Sequence, residues 1–148
     1  MGLLEPSPQP SNKTRVLKFM AIAVVAVAAI VLYFTLRFYP EQKAVQHFFD
    51  ALAAGDFNTA YKLWKPGPSY QMRDFMADWG VYGYYGPVKS YKIARLHSPE
   101  HPSNSVVAEV EVSPFAPLPS RDDAEKARRT RVVTVWVNSN DKSLSFPP

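Results

Sequence analysis

The run Phe19–Leu36, FMAIAVVAVAAIVLYFTL, limits what this chain can be more than any other feature. It holds no charged residue and no Gly, Pro or Asn, and no second run like it follows. At ~1.5 Å per residue it spans about 27 Å, near the ~30 Å of a bilayer's hydrocarbon layer. Val16, Leu17 and Phe38 can lengthen it. Each of its Leu, Ile, Val and Phe side chains favours mid-membrane by roughly 0.3 to 0.6 kcal/mol. A buried core helix would be shorter and would carry a polar stripe. The run therefore predicts a membrane anchor.

The flanks predict its direction. Lys13, Arg15 and Lys18 precede the run with Glu5 as the one acid, whereas Arg37 after it is followed by Glu41, Lys43 and Asp50. Excess positive charge before the span predicts a cytoplasmic N terminus and an exported C-terminal part. Tyr33, Phe34, Phe38 and Tyr39 crowd the far end, where amphipathic rings suit the interface. A cleaved signal peptide has a similar basic-then-apolar layout. Its apolar region is only about 7–15 residues, however, and a small-x-small site should follow. Arg37-Phe38-Tyr39-Pro40 is no such site, so the anchor is expected to stay. With no cysteine, a lipoprotein linkage, a disulfide framework and thiol catalysis are ruled out.

Three parts are expected: a disordered cytoplasmic tail over 1–15, a transmembrane signal anchor over 16–39, and an exported domain over 40–148. The tail carries Pro6, Pro8 and Pro10 among polar residues and cannot build a core. Charge divides between the parts. Of the net +4, the four basic residues against one acid before Pro40 supply most, leaving 13 Lys and Arg against 12 Asp and Glu beyond. A nucleic-acid face would need a basic excess on the folded part, so no nucleic-acid partner is expected. The local cluster Lys126, Arg128, Arg129 and Arg131 follows Asp122, Asp123 and Glu125 and reads as solvated or self-paired.

The exported part opens with helical patterns. Val45, Phe48, Phe49, Leu52 and Ala53 recur at i, i+3, i+4, i+7 and i+8, with Pro40 and Glu41 suited to the first turn. Gly55 stops that helix and Asp56 caps the next, Phe57 to Trp64. A third runs from a Ser69 cap through Met72, Phe75, Met76 and Trp79 to Gly80. The period then changes. Val88–His97, Val106–Val112 and Thr130–Val137 read as strands, Val106–Val112 with strict alternation, and Ser143–Phe146 as a short edge strand. A loop with Pro114, Pro117 and Pro119 separates the second and third. Helices followed by a meandering antiparallel sheet predict an α+β domain of three helices packed on one sheet face.

The stretch AVQHFFDALAAGDFNTAYKLW, Ala44–Trp64, resembles the opening helical pair of the nuclear transport factor 2-like (SnoaL-like) superfamily. The resemblance extends over Glu41–Phe146. It implies a curved sheet wrapped around the helices as a cone, often with an apolar pocket at its open end. Membrane-anchored proteins with such an exported domain resemble assembly components of VirB-type secretion channels and proteins associated with the lipid-importing complexes of mycobacteria. Enzymes of the superfamily move a proton with a buried Asp or a His-Asp pair.

Candidates for that chemistry are weak here. His47 and Asp50 flank an apolar helix face, and Asp78 lies on the third helix. Glu109 and Glu111 alternate with valines as a solvated sheet face does, although paired carboxylates on a concave face could share a proton. His97, and His101 beside Glu100, sit in or near a loop. No catalytic residue, metal ligand or cofactor is assigned. Phe75, Trp79 and Trp136 are expected to fill core. The segment WGVYGYYG, Trp79–Gly86, mounts rings on glycine-rich backbone, a pattern suited to contact. Trp79, Tyr82, Tyr84 and Tyr85 are therefore the expected partner- or ligand-binding residues, with Lys13, Arg15, Lys18, Arg37 and Tyr39 flanking the anchor. The expected function is a non-catalytic scaffold or accessory subunit. Its partners would be the lipid bilayer and another membrane or exported protein, or a second copy. The alternative is a pocket protein that binds or isomerises an apolar ligand with a carboxylate in the cone.

Overall fold

The computed structural model describes residues 12–101, 103–117 and 122–148, with the side chains of residues 34 and 35 outside that description. Among the described residues the chain is α+β, with five helices and a four-stranded antiparallel open sheet. It divides into two units, one ending at Arg37 and one over Phe38–Pro148.

The described part of the first unit holds one helix, α1 (Asn12–Leu36), 25 residues long. Its stretch Asn12–Tyr33 is long and apolar enough to cross a bilayer. The apolar side chains are exposed all round: Phe19, Val24 and Val25 project from different sides of the helix and none is buried. Lys13, Arg15 and Lys18 lie on the first two turns of this helix, so the expectation of disorder is corrected for residues 12–15; residues 1–11 lie outside the description. The reason is cooperativity. Once the apolar run is helical, each further residue fixed adds a hydrogen bond without a new nucleus. Arg37 closes the unit through its amide on the Tyr33 carbonyl at 2.9 Å.

The second unit begins with α2 (Tyr39–Ala54), which places Tyr39 in its first turn. Pro40 near its start suits the first turn. Val45, Phe48, Phe49 and Leu52 are buried along one face. Gly55 ends the helix in the left-handed region at φ 75°, and the Gly55 and Asp56 amides reach the Leu52 and Ala51 carbonyls at 3.0 and 2.8 Å. Asp56 then caps α3 (Phe57–Leu63), its carboxylate accepting from the Thr59 amide at 3.1 Å and the Thr59 hydroxyl at 2.6 Å. The next helix, α4 (Met72–Trp79), starts three residues beyond the expected Ser69 cap. Asp74 explains the shift, because its carboxylate accepts from the Gln71 amide at 2.9 Å and so fixes the start.

The sheet runs β1 (Ser90–His97), β2 (Ser105–Ser113), β3 (Arg131–Asn138) and β4 (Leu144–Ser145), in that spatial order. Register puts Tyr91, Ile93 and Leu96 of β1 beside Val112, Val110 and Ala108 of β2, and these beside Arg131, Val133 and Val135 of β3. That face packs against α2 and the rest of the core. The register skips between Ile93 and Arg95, a bulge in the outer strand β1. Trp136 is corrected from core to the opposite face. With Val135 and Val137 facing in, the period of two turns Trp136 outward, half-buried and paired with Val107.

A fourth helix of this unit, α5 (Asp123–Arg129), lies within the expected loop, so the three-helix expectation is also corrected. Asp122 accepts from the Glu125 amide at 3.1 Å, and Glu125 pairs with Arg129 one turn on at 3.6 Å. A cap and an i,i+4 pair suffice for a short helix among Ala, Glu, Lys and Arg.

The core is a nest of rings. Phe48 stacks on Trp64 at 5.2 Å and meets Phe49, Phe75 and Trp79 edge-on at 5.1, 6.3 and 5.3 Å. Phe146 closes it, edge-on to Trp64 at 4.6 Å and parallel to Trp79 at 5.8 Å. Offset and edge-on pairs of this kind each add roughly 0.5–1.5 kcal/mol beyond burial. Glu41, buried at the start of α2, takes a 2.7 Å hydrogen bond from Lys142 in the β3–β4 turn.

Candidate binding surface

The loop after α4 is shaped by what an α-helix leaves undone. The last carbonyls of α4 need donors. The chain supplies them by folding back, so that the Tyr84 amide reaches the Ala77 carbonyl at 2.9 Å and the Tyr85 amide the Asp78 carbonyl at 2.8 Å. Such a close return leaves no room for side chains at its inner corners. A Cβ on Gly83 would sit 2.8 Å from the Asp78 carbonyl group and the Gly80 nitrogen, and one on Gly86 would overlap the Gly80 carbonyl. The glycines thus serve close packing.

This geometry sorts the rings that were expected to act together. Tyr82, at the tip, is fully exposed, and Tyr84 is 68 % exposed. Val81 and Met76 extend the exposed apolar patch. Tyr85 turns inward, 5.0 Å from Trp79 and 5.6 Å from Phe146. Burial, then the neighbouring Tyr84 and Asp78, push its phenol above the ordinary value. Trp79, expected both as core and as a binding residue, is core and is corrected only as a binding residue: at 1 % exposure it is enclosed by Phe48, Phe49, Trp64, Tyr85 and Phe146.

Arg131 pins the exposed part. It donates from Nη1 to the Tyr84 carbonyl at 2.7 Å, and its guanidinium lies 5.1 Å from the Tyr84 ring centre. Sequence reasoning missed this role by grouping Arg131 with the self-paired charges. Only Arg129 of that group shows an ion pair among the described contacts, with Glu125. The available clue was position. Arg131 opens a β-branched strand, outside the charged helix.

The residues considered for proton transfer stand apart. Asp50 accepts from the Tyr91 hydroxyl at 2.6 Å and Asp78 from the Tyr70 hydroxyl at 2.5 Å. Burial first, then the partner carboxylate, raises both phenols far above their ordinary values. Each pair ties elements together: β1 to α2 through Tyr91, and the segment before α4 to its end through Tyr70. Glu109 and Glu111 lie on the sheet face opposite the core, in register with Arg95 and Lys92 of β1. His47 is exposed on α2. His97 sits at the end of β1 opposite Val107, with Nδ1 buried and unpartnered among the described residues, while His101 is exposed. Among the described residues no group of three or more of these acids and histidines could hold a metal ion. No family model, curated protein or solved structure matches this chain.

Proposed function

We propose that this chain is a single-pass membrane protein, with its N terminus on the cytoplasmic side, whose Pro40–Pro148 domain works outside the membrane as a binding or assembly module. Its scaffold is that of the nuclear transport factor 2-like superfamily, and its partner is another membrane or exported protein. The observation that carries this reading is how the rings are divided. Phe48, Trp64, Phe75, Trp79 and Phe146 occupy the interior in mutual contact, where an enzyme of that scaffold would hold its ligand. Tyr82 and Tyr84 stand outside on a loop held at both the helix end and Arg131. Rigid exposed tyrosines are the anchors that protein interfaces favour, because they bury large area while fixing few torsions. The apolar α1 and its basic first turns support the anchor and its direction.

Cross-linking in native membranes, followed by detergent purification, tests the reading. The Tyr82→Ser/Tyr84→Ser pair should fold and insert normally, since exposed substitutions change stability by about 0.5 kcal/mol or less. Its cross-linked partner should vanish, as aromatic anchors commonly carry ~2 kcal/mol or more each. Glu109→Gln with Glu111→Gln should keep the partner. The opposite pattern, function lost with the glutamates and kept without the tyrosines, would overturn the binding-module reading. Phosphatase and fluorescent reporters fused to the C terminus check direction, which a reporter active only in the cytoplasm would reverse.

A further inference from the structure

We infer that the hollow beside the tyrosine loop is a phosphate-binding site. It has a volume of about 140 Å³ and is walled by Tyr85, Pro87, Val112 and Pro114. Three arginines line it, Arg128, Arg129 and Arg131, and no acidic residue does. Lysines or arginines at the end of a helix ordinarily need no ligand, because they complement its dipole. That account covers Arg128 and Arg129 at the end of α5. It does not cover Arg131, which reaches the same hollow from β3.

Two of the three groups are held ready. Arg131 is fixed by the Tyr84 carbonyl at 2.7 Å and lies 5.1 Å from the Tyr84 ring centre. Arg129 lies 5.6 Å from the Phe115 ring centre and 3.6 Å from Glu125. A guanidinium set against a ring keeps its in-plane N–H edge for an anion, and that fork matches the oxygens of phosphate. Glu125, which does not line the hollow, is the one carboxylate paired with the three among the described contacts. Arg128, Arg129 and Arg131 are all exposed, so water weakens their mutual repulsion, and what remains of it favours an anion among them. A tetrahedral anion with several acceptor oxygens relieves that repulsion better than a two-oxygen carboxylate. The group can be free phosphate or the phosphate of a lipid head group, and the chemistry of recognition is shared. This inference stands on the arginines and does not depend on the partner reading.

The test uses the full chain in phosphatidylcholine nanodiscs, melted while tryptophan fluorescence is followed. Inorganic phosphate is titrated against chloride at constant ionic strength. A ligand bound only by the folded state raises the melting temperature, by about 5 °C at tenfold excess over its dissociation constant. Arg128→Gln should abolish the rise. Arg131→Lys should weaken it at least tenfold, because a lysine keeps the charge and loses the fork. Arg73→Gln, a mostly exposed arginine on α4 outside this hollow, should keep it in full. A second arm replaces about a third of the lipid with phosphatidylglycerol and adds no phosphate. A rise there alone, lost in Arg128→Gln, identifies the head group as the source. A rise with free phosphate alone identifies the soluble anion. No response in either arm, or an equal response from wild type and Arg128→Gln, overturns the site. Phosphate also stabilises proteins by exclusion from their surfaces, and that effect would be equal in both proteins.

Discussion

Replacing Gly83 with Ala should loosen the tyrosine loop without touching a tyrosine. The added Cβ would meet the carbonyl carbon and oxygen of Asp78 and the nitrogen of Gly80, all at 2.8 Å, about 0.6 Å inside ordinary contact. All three are backbone atoms, so none can rotate aside, and the return strand must move away from α4. The hydrogen bonds it makes are the ones at risk: Tyr84 amide to Ala77 carbonyl and Tyr85 amide to Asp78 carbonyl. Each is worth roughly 0.5–1.5 kcal/mol net, so the local cost is about 1–3 kcal/mol. Amide hydrogen exchange reads this directly. Protection at Tyr84 and Tyr85 should fall roughly 5- to 150-fold, by the factor of ten per ~1.4 kcal/mol that free energy imposes. Protection in β2 and β3 should fall much less. Gly67 is the control: nothing lies within 4 Å of its Cβ position and its φ is unremarkable, so Gly67→Ala should be neutral or stabilise by about 0.4–1 kcal/mol. Unchanged protection at Tyr84 and Tyr85 in Gly83→Ala would show that the glycines do not hold the loop down, and the rigid-display argument would fail with it.

Phe48→Ala removes a fully buried ring that contacts four others and should cost about 3–5 kcal/mol, seen as a large drop in the melting temperature of the full chain. Glu41 should make stability depend on acid. Burial raises its carboxyl, but the Lys142 hydrogen bond and charge with a backbone contact outweigh this and hold it below 4.5. A carboxyl lowered on folding contributes stability above its unfolded value and loses it as pH falls through the folded one. Glu41→Gln should therefore cost about 1–2 kcal/mol at pH 7, less than for a fully buried pair because Lys142 is a third exposed, and the gap from wild type should close below pH 4.5 in melts against pH.

The elements legible in the sequence were those whose own residues carry the signal. Val45, Phe48, Phe49 and Leu52 mark the buried face of α2 because helix period and apolar spacing coincide, and Asp56 marks the next start because its carboxylate serves an amide three residues on. The alternation from Val106 to Val112 announced β2 and its inward face. What stayed hidden depends on distant chain. Nothing local distinguishes Tyr85, which turns in, from Tyr84, which turns out; the choice is made where the loop returns to α4 and meets Arg131 from β3. Trp79 read as part of the contact segment because it abuts that segment, yet its side chain belongs to the last turn of α4. The helix α5 was visible in principle, through Asp122 and the Glu125–Arg129 spacing, and was obscured by the prolines before it.

The bulge in β1 would matter most if the domain is held in a plane by the proposed anchor. An outer strand leaves a row of backbone donors and acceptors open, and a straight eight-residue row is a template on which another strand can form. Copies held on a membrane anchor, as proposed for α1, would diffuse in two dimensions and meet one another more often than at the same amount in solution. The break in register at Ala94, between Lys92 and Arg95, bends and charges the open row in its middle. If α1 anchors the chain as proposed, crowding such copies in one membrane would raise the frequency of collisions, while the broken, charged row makes the β1 edge a poorer template for a further strand.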